Sequence, residues 1–371
     1  MANMEDTILQ YPMVGGEGPQ SYTQNSSIQK IIQENGNAKE LIREAVMEKL
    51  DFKNLDVWFS NHTIRIADLG CSVGPNTFIA VQHIIEAIEF KYLKTHQGNE
   101  INLEFQVFFN DQANNDFNTL LRLLPSSRNY FANAVPGSFH GRLFPKSSLH
   151  FVHSACSLNW LSKVPEEVAW KEGISFLHTG LAKEVINAYL NQFKNDIDAF
   201  LTARAQEIVG GGLMVLIITG RPDGFPLSPT GSSMIFELLG SCLDDLANLG
   251  LIKQEKVDSF KLPLYYPNAK EMETIVDRNG YFSIEKMDKS GRDSCIRPGR
   301  SMDTHLLIAS HLRAAFDSLL KAHFGINDQV VDEIFKCFPK KVANSNLIYD
   351  DEGCKDVDLF ILLKRKELSL A

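Results

Sequence analysis

Nowhere in its 371 residues does the chain carry an apolar run approaching the roughly 18 residues that a membrane span needs. Its opening, MANMEDTILQYPM, is acidic where a secretion signal would be basic, and it has no continuous apolar stretch, so it does not read as a targeting segment. Basic side chains are in deficit, 37 against 46 acidic ones for a formal charge of -9, and no long basic patch offsets them. Binding to phosphate backbones or anionic lipid is thereby disfavoured. No N-P-P-[YF] motif of the base-flipping enzymes occurs either. The cysteines at 71, 156, 242, 295, 337 and 354 form no C-x-x-C pair and have no histidine at zinc spacing, which points to reduced thiols rather than a disulfide framework or a metal knot. Sequons at Asn25 and Asn61 would matter only in a secreted chain. Internal repeats, low-complexity tracts and flexible linkers are also missing. A soluble cytoplasmic protein with no nucleic-acid or membrane partner is the expectation.

What the chain does contain is 44% hydrophobic and 22% charged residues, ordinary composition with ample apolar surface for a large core. Residues 28–50 have helical spacing, with a break expected at Gly36. Strands and helices then alternate. TIRIADLG, EFQVFFND, SSLHFVHSA and GGLMVLIITG read as strands, and FIAVQHIIEAIEFKYL, FNTLLRLL and the interval 184–208 as helices. Two late segments, YFSIEKMDK and DLFILLKRK, are expected to pair as an edge. This order implies an α/β fold with a doubly wound, mostly parallel sheet. Insertions at about 157–180, 224–279 and 300–340 are too long for simple crossovers, and their helical patterns predict a cap over the carboxyl edge of the strands. The expected organisation is one unit, with a Rossmann-like core over about 50–156, 181–223, 280–290 and 356–368.

At the end of the first strand, ADLGCSVGPN sets Gly70 and Gly74 around a turn that leads into a helix, where small residues let backbone amides approach a ligand. The spacing is not the G-x-G-x-x-G of dinucleotide sites. Asp68 is placed to accept from a cationic amino group such as that of S-adenosylmethionine, although a purely structural tight turn would share the pattern. The next strand ends in Asp111, which either takes two ribose hydroxyls or caps the following helix.

From this point the chain resembles the plant SABATH carboxyl methyltransferases, named from salicylic acid, benzoic acid and theobromine methylation. The resemblance covers almost the whole chain and rests on MVGGEGPQSYTQNSSIQ, ADLGCSVGPNT, FFNDQANNDFN, VPGSFHGRLFP, LNWLSKVP, FLTARAQEIVGGGLMVL and VDSFKLPLYYP. It implies a class I methyltransferase fold and S-adenosylmethionine as cosubstrate, held by Tyr22, Asp68, Cys71, Asn76, Asp111, Gln112, Ser138 and Phe139. Gln112 stands where the family usually has Leu. An aromatic Phe139 suits stacking on adenine and Ser138 its edge, with plain core as the alternative for Phe139. The acceptor carboxylate would be held by Gln29 and Trp160, neutral donors that orient it without drawing off the electron density needed for attack. A carboxylic acid is already ionised at neutral pH, so no general acid or base is expected.

Two positions depart from common family usage. Cys156 replaces a frequent Tyr, opening room, and Asn159 replaces a frequent His or Met, leaving a neutral polar group expected to face the acceptor. Both point to an acid larger or more polar than benzoate. Further wall residues by the same matching are Ile235, Phe236, Leu312, Ala315 and Tyr349, which could equally be core. The metal site of some relatives uses an Asn after a Trp and a D-S-F-N stretch. Here Lys171 and Lys261 replace the two neutral ligands, so no metal is expected. The resemblance implies methyl esterification of a terpenoid, hormone, benzenoid or alkaloid-precursor acid by a homodimer. N-methylation of a xanthine-type heterocycle is the alternative within the family, and a catalytically silent binding homologue is the alternative outside it.

Overall fold

A computed structural model describes residues 11–30, 37–52, 62–96, 103–168, 183–223, 231–291, 302–345 and 356–367. A helical turn α1 (Tyr22–Asn25) and helix α2 (Ala38–Lys49) precede strand β1 (Thr63–Leu69). The chain then runs through α3 (Pro75–Thr95), β2 (Glu104–Asp111), α4 (Phe117–Arg122), β3 (Phe131–Pro136) and β4 (Leu149–Ala155). After it come α5 (Lys183–Glu207), β5 (Ile208–Gly220), α6 (Gly231–Asn248), α7 (Gln254–Ser259), α8 (Ala269–Asn279) and β6 (Phe282–Gly291). Helices α9 (Met302–Phe324) and α10 (Asp328–Asn344) lead to the last strand, β7 (Val357–Arg365).

Local chemistry sets these boundaries. Pro75 occupies the first turn of α3, where its missing N–H costs nothing. Asp116 caps α4 by accepting from Thr119 N, and a reciprocal Asn268/Glu271 box opens α8, which Gly280 closes in the left-handed conformation. Strand β5 carries an unbroken apolar run, and Leu213 to Ile218 are all buried, as a strand covered on both faces requires.

The seven strands form one sheet in the order β3-β2-β1-β4-β5-β7-β6. The first five are parallel to one another, β7 is antiparallel to β5, and β6 antiparallel to β7. Strand order reverses between β1 and β4, which opens a crevice at their carboxyl ends. One apolar layer, built from α2 and α3, covers one face, with Val46, Ile84 and Ile88 against Ile66, Phe109 and Val215. The other face packs Phe193, Phe200, Met272 and the helices of the insertions against Leu216, Ile218 and Ile361.

The alternation expected from sequence is present, with three adjustments. Strand β3 is additional: Phe131–Pro136 is half-exposed, contains Pro136 and lies at the sheet edge, so it has no buried alternation to betray it. The two late strands do pair, but β7 is interior and only β6 is an edge. Helix α8, assigned to the cap, packs on α5 and β6 against the sheet, whereas α6, α7, α9 and α10 contact one another. The expected break at Gly36 lies outside the described residues, as does the second half of the first insertion.

Candidate functional site

The carboxyl ends of β1 and β2 are laced together by backbone groups. Gly70 has a φ of +85°, and a Cβ there would stand 2.3 Å from Ser157 Cβ, so only glycine fits. Its N–H and that of Cys71 both donate to the Asn110 carbonyl, at 2.8 and 3.0 Å. The next amide, Ser72 N–H, donates to Asp111 Oδ2 at 2.8 Å, while Asp111 Oδ1 accepts from Gln112 N–H at 2.8 Å. Asn115 closes the ring by donating to Ser72 O at 3.0 Å. Asn110, fully buried, donates onward to Val135 O and Gly137 O at 2.7 and 2.9 Å, so the β3 turn is held by the same strand tip.

Asp111 therefore keeps a fixed carboxylate with lone pairs to spare, half-buried in the wall of the cleft. Burial pushes its carboxyl up to about 6, against the pull of the two backbone N–H donors. The cleft above it encloses about 960 Å³, including solvent at its mouth. Of the sequence-derived residues, Tyr22, Asp111, Gln112, Ser138, Phe139, Cys156 and Trp160 all line it. Phe139 stands edge-on to Phe200, with ring centroids 6.0 Å apart. Burial, reinforced by Cys156 and Asp111, holds the Tyr22 phenol protonated far above its usual range. Tyr11, Met13, Ser72, Gly137, His140 and Leu161 complete much of the wall without having been singled out in the sequence.

Several buried polar atoms around this space have no partner within the protein: Ser72 Oγ, Asn76 Oδ1, Gln112 Oε1, His140 Nδ1 and Gln29 Oε1. Unpaired buried groups are costly and native proteins keep few of them, so the three that belong to cleft-lining residues, on Ser72, Gln112 and His140, fit a polar ligand that satisfies them. The set suits a nucleoside with an amino-acid tail: a carboxylate for ribose hydroxyls, an aromatic face and hydroxyl for a base, and an amide oxygen for an ammonium.

Other expected contacts are not brought to the cleft wall. Asp68 accepts from the Thr77 hydroxyl with one oxygen and meets His153 Nδ1 at 2.7 Å with the other, so it braces β1 against α3 and β4, buried and off the cleft wall. Cys71 and Asn76 sit behind the wall, Asn76 donating to Ser26 O at 3.0 Å. Gln29 does not line the cleft; its amide nitrogen lies 3.2 Å from His311 Nε2, and His311 Nδ1 lies 3.1 Å from the Asn25 carbonyl. A carbonyl only accepts, so Nδ1 carries the proton and Nε2 takes the Gln29 N–H. The His311 ring is 6.0 Å from that of Tyr22.

Asn159 is the clearest correction. It is buried, donates to Thr219 O at 2.7 Å and Tyr265 O at 2.8 Å, and accepts from Thr219 N–H at 3.3 Å. It ties the Trp160 loop to the end of β5 and faces no acceptor. Phe236, Leu312 and Ala315 are core residues, Ile235 packs on the same core, and the Phe316 ring lies beside both Phe236 and Trp160. Tyr349 lies outside the described residues, as do Trp170, Lys171, Glu172 and Gly173. Lys261 turns its ammonium onto the Asp258 carbonyl at 2.8 Å. Among the described residues no group of three His, Cys, Asp or Glu converges as metal ligands would.

With this geometry in hand, comparisons with known proteins are specific. Residues 9–366 match the family model for SAM-dependent carboxyl methyltransferases. The chain is 43% identical over 372 residues to loganic acid O-methyltransferase of Catharanthus roseus, covering 99% of this chain and 97% of that one. It is 48% identical over 283 residues to farnesoic acid carboxyl-O-methyltransferase of Arabidopsis thaliana, covering 75% and 79%. A solved structure of loganic acid methyltransferase with SAH superposes with a TM-score of 0.87 at 43% identity, over 97% of this chain and 100% of that one.

The reassignment of Asn159 has a measurable outcome. Asn159→Ala removes two buried hydrogen bonds, to the Thr219 and Tyr265 carbonyls, and is expected to cost about 1–3 kcal/mol in denaturant unfolding. If Asn159 instead faced the acceptor, stability would be unchanged and only the acid KM would move.

Proposed function

The chain belongs to the SAM-dependent carboxyl methyltransferases, and from that premise we propose that it esterifies a small terpenoid-type acid within the cleft between Asp111 and Trp160. The observation that carries this reading is the continuity of the cleft: the wall of Asp111, Ser138 and Phe139 and the wall of Cys156 and Trp160 enclose one space, so a sulfonium methyl and an acceptor oxygen would meet without crossing a barrier. The preference for a terpenoid-type acid is supported by Cys156, which leaves room where a Tyr would fill it, and by the two relatives named for loganic and farnesoic acids. Asn159 no longer contributes to that argument.

When bound, S-adenosylmethionine supplies a methyl group on a positively charged sulfur. The protein's share is placement. Asp111 accepts from the ribose hydroxyls with a carboxylate already oriented by Ser72 and Gln112. Phe139 and Ser138 would meet adenine from the cleft wall. Trp160 orients the acceptor carboxylate as a neutral donor from the cleft wall; Gln29, bonded to His311 behind the wall, is given the same part by the family resemblance. An ionised carboxylate carries no proton to remove, so alignment and exclusion of water do the work, and effective molarities of that kind are worth on the order of 7–11 kcal/mol. No metal is assigned a part, and Lys261 is engaged with its own chain. A cytosolic two-fold dimer belongs to the same proposal, supported by the cysteine pattern and the family resemblance; among the described residues no helix is long and apolar enough to cross a membrane.

Incubation with labelled cosubstrate and a panel of iridoid, sesquiterpenoid, jasmonate and benzenoid acids, with xanthines included, is expected to give methyl esters identified by mass spectrometry, and to favour the bulkier acids. Methylation of heterocycles alone, or cosubstrate binding with no turnover on any acid, contradicts the proposal.

Role assignments separate in kinetics. Gln29→Ala and Trp160→Ala are expected to depress acid turnover far more than SAH affinity, and Asp111→Ala to do the reverse. Because ionised Asp111 is the ribose acceptor and its carboxyl titrates at about 6, SAH affinity in the wild type is expected to weaken as pH falls through that value. Asp111→Asn should bind weakly at every pH and lose the step; an unaltered step in that variant would assign the titration elsewhere.

A further inference from the structure

Helix α5 ends in an ion pair with no access to water: Arg204 Nε donates to Glu207 Oε2 at 2.7 Å, and both side chains are 0% exposed. Neither residue lines the cleft. Yet the remaining contacts of both run to a single loop. Arg204 Nη1 donates to Phe139 O at 2.9 Å and Nη2 to Gly141 O at 2.8 Å. Glu207 Oε1 accepts from Leu143 N–H at 2.5 Å and Phe144 N–H at 3.0 Å. The Arg204 guanidinium also covers the Phe200 ring at 5.3 Å, and that ring sets the edge-on contact with Phe139.

A buried ion pair is a poor source of stability, because desolvation offsets most of the attraction. What it provides is geometry, since charge-assisted bonds fix their partners closely and a forked guanidinium spans two carbonyls at once. Four backbone groups between residues 139 and 144 are fixed in this way to the end of a 25-residue helix. The loop has no ladder of its own over those residues, so the pair replaces secondary structure there. It also sums to zero charge and adds no net field to the cleft.

We propose that Arg204 and Glu207 are positioning residues for adenine recognition: they hold the Ser138–Phe144 loop in its base-reading shape before the cosubstrate arrives. The proposal rests on the reading that Ser138 and Phe139 meet adenine, and it makes base selectivity, not acid binding, the property that depends on the pair. A residue acting only on general stability would not move that selectivity.

The test compares affinity for SAH with affinity for S-inosylhomocysteine, its 6-oxo counterpart, by calorimetry. The wild type is expected to favour SAH by about tenfold or more, since a site shaped for one hydrogen-bonding edge rejects the other. In Arg204→Lys, which keeps the charge but cannot bridge both carbonyls, and in Glu207→Gln, the ratio is expected to fall to within about threefold, with the acid KM altered less than about twofold. Arg365→Lys is the matched control: Arg365 is also buried and bonded to the Ala205, Tyr281 and Lys366 carbonyls, but touches no part of the loop, so it should keep the wild-type ratio. A wild type that does not discriminate overturns the adenine reading and the proposal with it. A discriminating wild type with an unchanged ratio in both variants overturns the positioning role alone. Should the variants fail to fold, hydrogen exchange of the ligand-free wild type decides: slow exchange at Leu143 and Phe144 supports a preset loop, and fast exchange that slows only with SAH overturns it.

Discussion

The carboxylate of Asp111 accepting from Ser72 and Gln112 amides is the contact on which the rest of the site depends. It joins the turn after β1 to the turn after β2 at the one place where strand order reverses, and it does so without consuming all the acceptor capacity of the carboxylate. Asn110 performs the matching task, its carbonyl receiving the two preceding amides of the first turn and its side-chain amide donating to the third strand tip. Three strand tips thus form one rigid lip. For a reaction whose barrier is lowered chiefly by alignment, rigidity at this lip is the main thing a fold can supply.

Around the lip, polar groups divide into those that are spent and those that are spare. Asp68, Asn159 and the Arg204/Glu207 pair are spent: each is buried and bonded to backbone or neighbouring side chains, and each holds a segment that carries a cleft residue. Ser72 Oγ, Asn76 Oδ1, Gln112 Oε1 and Gln29 Oε1 are spare, buried without partners. That division, more than residue type, separates supports from contacts. An aspartate beside the glycine turn is thus a brace, while an asparagine eight residues later keeps a buried oxygen with no partner in the protein.

Much of the fold was legible in the sequence because apolar runs such as GGLMVLIITG and punctuation such as Gly74-Pro75 are local signals. Strand β3 was not, since its pairing depends on an edge partner and its residues are half-exposed. Asp111, Ser138, Phe139, Cys156 and Trp160 were legible as cleft-lining positions because each sits at a strand tip or in a recognisable motif. Asn159 and Asp68 were misplaced because sequence gives a position along the chain, not the direction of a side chain; both point to backbone or neighbours brought close only by folding. Arg204 and Glu207 did leave a signal: two opposite charges three residues apart on the buried stripe of a helix, just before an apolar strand. Reading that stripe for charge as well as for periodicity would have found them.

Everything described assigns the protein the tasks of holding and aligning, with no proton in transit during methyl transfer. The most direct measurement is the solvent deuterium isotope effect on single-turnover methyl transfer to a carboxylic acid above pH 7, where the acid and Asp111 are ionised. An effect close to one is predicted. A normal effect of about two or more would show a proton moving in the transition state, and would contradict catalysis by alignment alone.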